Sequence, residues 1–207
     1  MLKRFSTTVA AMAQKSRRKR AGRLPVLFVM TDIQRLPDPG LMIEHLPSES
    51  AVVIRHIDEG KRRLLAARVL PRCKARRIKL LIALDWRAAA ALRTDGVHLP
   101  EKNLTAPPAG LRLWQRAKGI ILTAAAHNAR AIRVARRNKC DAVFLSPVLP
   151  SRSHAARKAL GRVRYAQMAR QATLPVIALG GIAPNTIRSL NGTRTSGVAG
   201  ISFAEKF

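Results

Sequence analysis

Eight short apolar runs recur along this chain, at residues 26–31, 51–57, 79–84, 96–99, 120–124, 142–146, 176–179 and 198–201, with starts about 25 residues apart. Between them the apolar residues adopt helical spacing, as at 60–77, 86–93, 128–139, 163–173 and 185–190. Short strands without polar alternation are expected where a sheet is covered on both faces, and strict β–α alternation selects a parallel sheet wrapped by helices. Eight such units close on themselves, so the sequence predicts an α/β fold, a (β/α)8 TIM barrel, as one domain over residues 24–207. Two places strain the pattern. The first crossover holds Pro37, Pro39 and Pro47 and leaves only 40–46 as helix. The sequence stops six residues after Ile201, so the last helix is expected to be truncated and a second copy, in a homodimer, to close that flank.

At 207 residues and 47% hydrophobic the chain can bury one substantial core. Every apolar run is cut by Arg, Lys or Pro well short of the roughly 18 to 20 residues of a membrane span, so no membrane partner is expected. Cys73 and Cys140 lack CxxC or CxxH spacing and read as free thiols of a reducing, cytoplasmic setting. The charge is extreme: 39 Lys and Arg against 11 Asp and Glu, a formal +28. Such a surplus attracts polyanions, which keeps a non-specific nucleic-acid partner open, although 4% aromatic content offers no stacking platform. The arginines at 62, 63, 68, 72, 76, 77, 130, 133, 136 and 137 read as solvated outer faces of helices. Residues 1–23 carry eight Lys and Arg and no acid, which suits a disordered basic tail outside the fold, a targeting segment or an over-extended start.

The last two strand ends are glycine-rich. Gly180 and Gly181 follow the seventh run, and Gly200, Ile201 and Ser202 end the eighth, so neighbouring staves expose backbone amides and a hydroxyl at the rim where barrels hold phosphate.

The motifs, taken in order, carry a resemblance. Thr31-Asp32, Val53-Ile54-Arg55, Asp95-Gly96-Val97-His98-Leu99-Pro100, Ala126-His127-Asn128, Asp141-Ala142-Val143-Phe144-Leu145-Ser146-Pro147, Ala178-Leu179-Gly180-Gly181-Ile182 and Gly197-Val198-Ala199-Gly200-Ile201-Ser202 resemble the thiamine-phosphate synthase/TenI family across residues 24–203. The resemblance implies a barrel that binds hydroxyethylthiazole phosphate and, in the synthases, joins it to an aminopyrimidine diphosphate with Mg2+, releasing pyrophosphate. It assigns phosphate contacts to the glycine rim and to Ser151 and Ser153 of the loop after the sixth strand, where His154 stands at the family's lysine. Of the family's Gln-x-Arg-x-Lys after the second strand only Arg55 remains. At the metal positions Asp85 is the one good candidate for Mg2+, with Asn103 where a second carboxylate belongs and Glu101 a displaced stand-in. Arg55, His98, His127 and His154 are the residues expected to act on substrate. The resulting expectation is a TenI-like barrel for thiazole phosphate or thiamine phosphate with a degenerate diphosphate and magnesium end. The alternatives are an active synthase and a basic nucleic-acid-associated protein.

Overall fold

A computed structural model describes residues 24–32, 35, 38–150 and 158–201. Eight parallel strands close into a barrel in sequence order: β1 (Leu27–Met30), β2 (Ala51–Ile54), β3 (Lys79–Ala83), β4 (Gly96–Leu99), β5 (Ile121–Ala126), β6 (Ala142–Leu145), β7 (Val176–Leu179) and β8 (Gly197–Gly200), with β8 pairing back to β1. The expected fold class holds, strand for strand. Six α-helices lie between them among the described residues: α1 (Gly40–His45), α2 (Glu59–Ala75), α3 (Trp86–Ala91), α4 (Leu111–Lys118), α5 (Ala129–Arg137) and α6 (Gly161–Gln171). The tail at 1–23 and the chain after Ile201 lie outside the described residues, and with them the expected truncation of the last helix.

Two apolar layers result from the two-residue period of each strand. One set of side chains, including Phe28, Val53, Leu81, Ile121, Phe144, Ile177 and Ala199, fills the barrel interior. The other set, including Val29, Val52, Leu80, Val97, Leu122, Val143 and Val198, packs outward against the helices. Inside, Phe28 and Phe144 meet edge-on with ring centroids 4.9 Å apart, a geometry worth about 0.5 to 1.5 kcal/mol beyond burial.

Asp95 and Asp141, conspicuous in the sequence motifs, work at the far end of the barrel from the rim. Each precedes a strand and accepts the backbone amide of a neighbouring one, Leu80 at 2.9 Å and Leu122 at 2.8 Å. The connection after β7 holds only a 3-10 turn, Ile187–Leu190, where a helix over 185–190 was expected. Thr186 explains the difference: its hydroxyl donates to the Gly181 carbonyl and accepts from the Ala183 amide, which winds the segment tightly. Arg62 is a second departure. It is buried, at 6% exposure, instead of facing solvent.

Candidate functional site

Helices α2, α3 and α5 begin at the C-terminal rim, and each is capped there by a polar side chain. Asp58 accepts from the Lys61 amide at 2.7 Å, Asp85 from Ala88 at 2.9 Å and Asn128 from Ala131 at 2.8 Å. The inward-facing positions of β1, β2, β3, β5 and β6, continued past the strands, arrive at Asp32, Arg55, Asp85, His127 and Ser146. The mouth of the barrel is therefore polar.

Arg55 spans the ends of β1 and β2. Its Nε donates to the Thr31 carbonyl at 2.7 Å and its Nη2 to Asp32 Oδ2 at 3.0 Å. Burial lowers its pKa and the Asp32 carboxylate opposes that, so the guanidinium keeps its charge in a half-buried position. His98 lies deeper. Its Nδ1 is 2.9 Å from Thr123 Oγ1 and its ring centroid 4.7 Å from that of Phe144. Burial, then the charge of Arg55, pushes its pKa down to about 3. The imidazole is neutral near pH 7 and is packed in the barrel interior.

His127, at the end of β5, is oriented from two sides. The Ser146 carbonyl lies 2.7 Å from Nδ1, and a carbonyl only accepts, so Nδ1 carries the proton and Nε2 is the basic nitrogen. Glu101 reaches across from the turn after β4. One of its oxygens accepts the His127 amide at 2.7 Å and lies 3.8 Å from Nε2, while the other accepts Asn128 Nδ2 at 3.1 Å. Both oxygens of the displaced stand-in are thus engaged in holding the β5 loop.

Asp85 is similarly occupied. Oδ1 caps α3, and Oδ2 takes Arg63 Nε at 2.8 Å with Arg62 Nη2 at 3.9 Å. Burial pushes its pKa up, but the Arg63 hydrogen bond, the Ala88 amide and the charges of Arg63 and Arg62 outweigh this and hold it below the ordinary carboxylate range. Arg62 also donates to the His56 and Ile57 carbonyls, tying the loop after β2 to the start of α3. The sequence places both arginines on the outside; Arg63 is exposed as expected and still reaches Asp85, whereas Arg62 is buried. The available signal was the Asp58 cap: a helix that starts at the rim puts its first turn within reach of the neighbouring loop.

At the opposite flank Gly180 and Gly181 both occupy the left-handed region, with φ +93° and +67°. Among the described residues no backbone hydrogen bond uses the amides of Gly180, Gly181 or Ile201. Glycine is demanded here for a further reason. A Cβ on Gly180 would stand 2.8 Å from Pro147 Cα, and one on Gly181 would stand 2.6 Å from both Leu149 Cβ and the Pro150 carbonyl. The loop after β6 lies directly on the glycine rim, joined by Val148 and Leu149 amides donating to the Leu179 and Gly180 carbonyls at 2.9 and 3.1 Å. Gly200 completes β8 beside it. Ser151, Ser153, His154 and Ser202 lie outside the described residues.

A family model described as thiamine monophosphate synthase (TMP-TENI) matches residues 46–204. The chain belongs to this family. Among similar proteins, a thiamine-phosphate synthase of Anoxybacillus flavithermus is 26% identical over 189 residues, 87% of this chain and 85% of that protein. A thiamine-phosphate synthase of Bacillus velezensis is 26% identical over 200 residues, 92% of this chain and 88% of the relative. The solved structure of a thiamine phosphate pyrophosphorylase from Pyrococcus furiosus superposes with a TM-score of 0.68 at 17% identity, covering 87% and 91% of the two chains, which establishes the shared fold. The family ties the chain to thiamine biosynthesis, and no helix among the described residues is long and apolar enough to cross a membrane.

Proposed function

We propose that this thiamine monophosphate synthase family member binds a small phosphorylated heterocycle, thiazole phosphate or thiamine phosphate, with its phosphate on the β7–β8 rim, and that its diphosphate and magnesium end is degenerate. The observation that carries the reading is the contrast between the two flanks. On one, the amides of Gly180, Gly181 and Ile201 beside the end of β8 are used by no backbone hydrogen bond among the described residues, which supports their being available to an anion. On the other, Asp85 is closed by a helix cap and Arg63, and Glu101 by the β5 loop.

The residues present do not fit a magnesium ion bound alongside diphosphate. That ion wants one or two free anionic oxygens from the protein, and the two expected carboxylates are already engaged, Asp85 by Arg63 and the α3 cap and Glu101 by the β5 loop, which supports this reading. Arg55 remains as a fixed cation for an anionic group, and His127 Nε2 as a base at the mouth.

A second reading, an active synthase, is favoured by one observation. Five buried side-chain atoms among the described residues have no hydrogen-bond partner, and four of them, His56 Nδ1, Arg62 Nε, Trp86 Nε1 and Asn103 Oδ1, lie in the segments that follow β2, β3 and β4, the fifth being Ser189 Oγ after β7. Buried polar atoms are rarely left unpaired, so a polar group of a bound ligand would find partners there.

Calorimetric titration with thiazole phosphate and with thiamine phosphate, each with EDTA or with Mg2+, tests the proposal. Saturable binding indifferent to EDTA is expected, with no pyrophosphate released from aminopyrimidine diphosphate plus thiazole phosphate. Mg2+-dependent pyrophosphate release would establish the second reading instead, and failure to bind either compound would defeat the first.

A further inference from the structure

The acidic residues of this chain are segregated. Between Glu101 and Glu205 the sequence holds a single carboxylate side chain, Asp141, against seventeen Lys and Arg. Asp141 is committed to the Leu122 amide at the base of the barrel. Consecutive units are neighbours in a closed barrel, so segregation along the sequence becomes segregation in space. Helices α4, α5 and α6, consecutive around the barrel, carry no acidic residue. The ion pairs found among the described residues all fall within 32–127, and none involves a cation of these three helices.

The cations are arrayed outward. On α5, Arg130, Arg133 and Arg137 are exposed and follow i, i+3, i+7 spacing, opposite the buried Ala131, Ile132 and Ala135. Arg112 and Arg116 repeat at i, i+4 on α4, and Arg164 is exposed on α6. Like charges at these spacings repel and weaken a helix. A uniformly arginine-rich composition would not strip carboxylates from one wall while leaving the other wall ion-paired.

We infer that the α4–α6 wall is a docking surface for double-stranded nucleic acid, held through its phosphates without reading of bases. Charge complementarity names the partner class: an array of exposed guanidinium groups releases counterions from a phosphate backbone. The surroundings narrow it. No exposed aromatic side chain lies on the three helices, Trp114 and Tyr165 being turned inward to different degrees, so the stacking that favours single strands is missing. Of the exposed large apolar side chains only Leu113 and Val163 fall on this wall, one on each of two separate helices, which does not make the continuous apolar face of a membrane-surface helix.

The test is fluorescence anisotropy of a labelled duplex oligonucleotide with the full-length chain across a salt series, comparing two triple variants of equal charge change. One is Arg130→Glu, Arg133→Glu and Arg137→Glu on α5. The other is Lys74→Glu, Arg77→Glu and Arg93→Glu, exposed positions on the far side of the barrel. Residues 1–23 are present throughout, so their contribution cancels. The α5 variant is expected to bind at least about tenfold more weakly near 0.15 M salt, with the slope of log K against log salt shallower by about 3, roughly 0.9 per lost phosphate contact. The far-side variant is expected to keep the wild-type slope. The corresponding Arg→Gln triple on α5, which introduces no repulsion and leaves exposed helix positions filled, should show the same direction of change and guards against misfolding. Equal weakening of both Glu triples would overturn the proposal, as would absence of duplex binding at 0.15 M salt or binding to phosphatidylserine vesicles in preference to duplex.

Discussion

His98 makes the fold sensitive to acid in a window that its surroundings define. The imidazole is buried against Phe144 with Nδ1 on Thr123, and its pKa in the folded chain is about 3 against 6.5 for a free histidine. Between those values the unfolded chain takes up a proton that the folded chain refuses, so unfolding is favoured as pH falls from about 6.5 and stability is fully retained only above it. Taking the two values as they stand, lowering the pH from 7 to 4.5 removes about 2.5 kcal/mol through this one residue, a large part of the roughly 5 to 15 kcal/mol that holds a typical domain folded. Asp85 acts in a different window: its depressed pKa gives stability that is present above the ordinary carboxylate value of 3.8 and lost only as pH falls through its lower folded value. Urea titrations at pH 7 and pH 4.5, on the native chain and on His98→Asn, isolate the effect. Asparagine keeps a polar atom facing Thr123 and does not titrate. The variant is expected to be less stable at pH 7, by about 1 to 2 kcal/mol for the lost ring, yet to lose about 2.5 kcal/mol less than the native chain on acidification. Equal acid losses in the two proteins would refute the argument that His98 is kept neutral by its burial.

Asp85→Ala should destabilise by about 3 kcal/mol in guanidinium titration, because it removes the cap of α3 and leaves the buried Arg62 facing no carboxylate; a loss below about 1 kcal/mol would mean that this carboxylate is not a structural tie. Gly181→Ala, with its strained φ and a 2.6 Å approach to Leu149 and Pro150, should cost more than about 2 kcal/mol, whereas Gly161→Ala, at φ +71° with nothing within 4 Å, should cost only about 1 kcal/mol. Thermal melts of the pair decide whether loop contact or backbone strain dominates. Glu101→Ala should raise the hydrogen-exchange rate of the His127 amide about tenfold by removing its acceptor, and an unchanged rate would show that the β5 loop is held by other contacts.

The strands were legible because burial on both faces leaves a mark that single residues carry: β2, β4 and β6 are apolar at every position except His98, and their spacing set the barrel before any contact was known. The site was legible only as positions. Strand register delivers Asp32, Arg55, Asp85 and His127 to the mouth, but the atom each one touches depends on the first turn of the following helix, where Arg62 and Arg63 fold back onto Asp85. Helical spacing puts Arg63 in solvent, where it is, but it misses the burial of Arg62 and the reach of both to Asp85, since it records the side of the helix and not that α2 begins within reach of a carboxylate.

The glycine rim exposes a related ambiguity. Gly180 and Gly181 read as a phosphate cradle from sequence, and the structure gives each a second task, admitting the loop after β6 so closely that a Cβ would stand less than 3 Å from it. A bulky residue at Gly181 would therefore abolish ligand binding whether or not the amides touch phosphate, because it would first displace Leu149 and Pro150. Direct binding of a phosphorylated heterocycle is the informative measurement at that flank, and substitution is the informative one at the other, where the bonds of Asp85 to Arg63 and to the Ala88 amide are made by its side chain alone. Charge followed the same logic on a larger scale. The surplus of +28 is plain in the composition, but only the order of strands around the barrel turns a stretch of sequence with a single carboxylate, Asp141, into one side of the molecule.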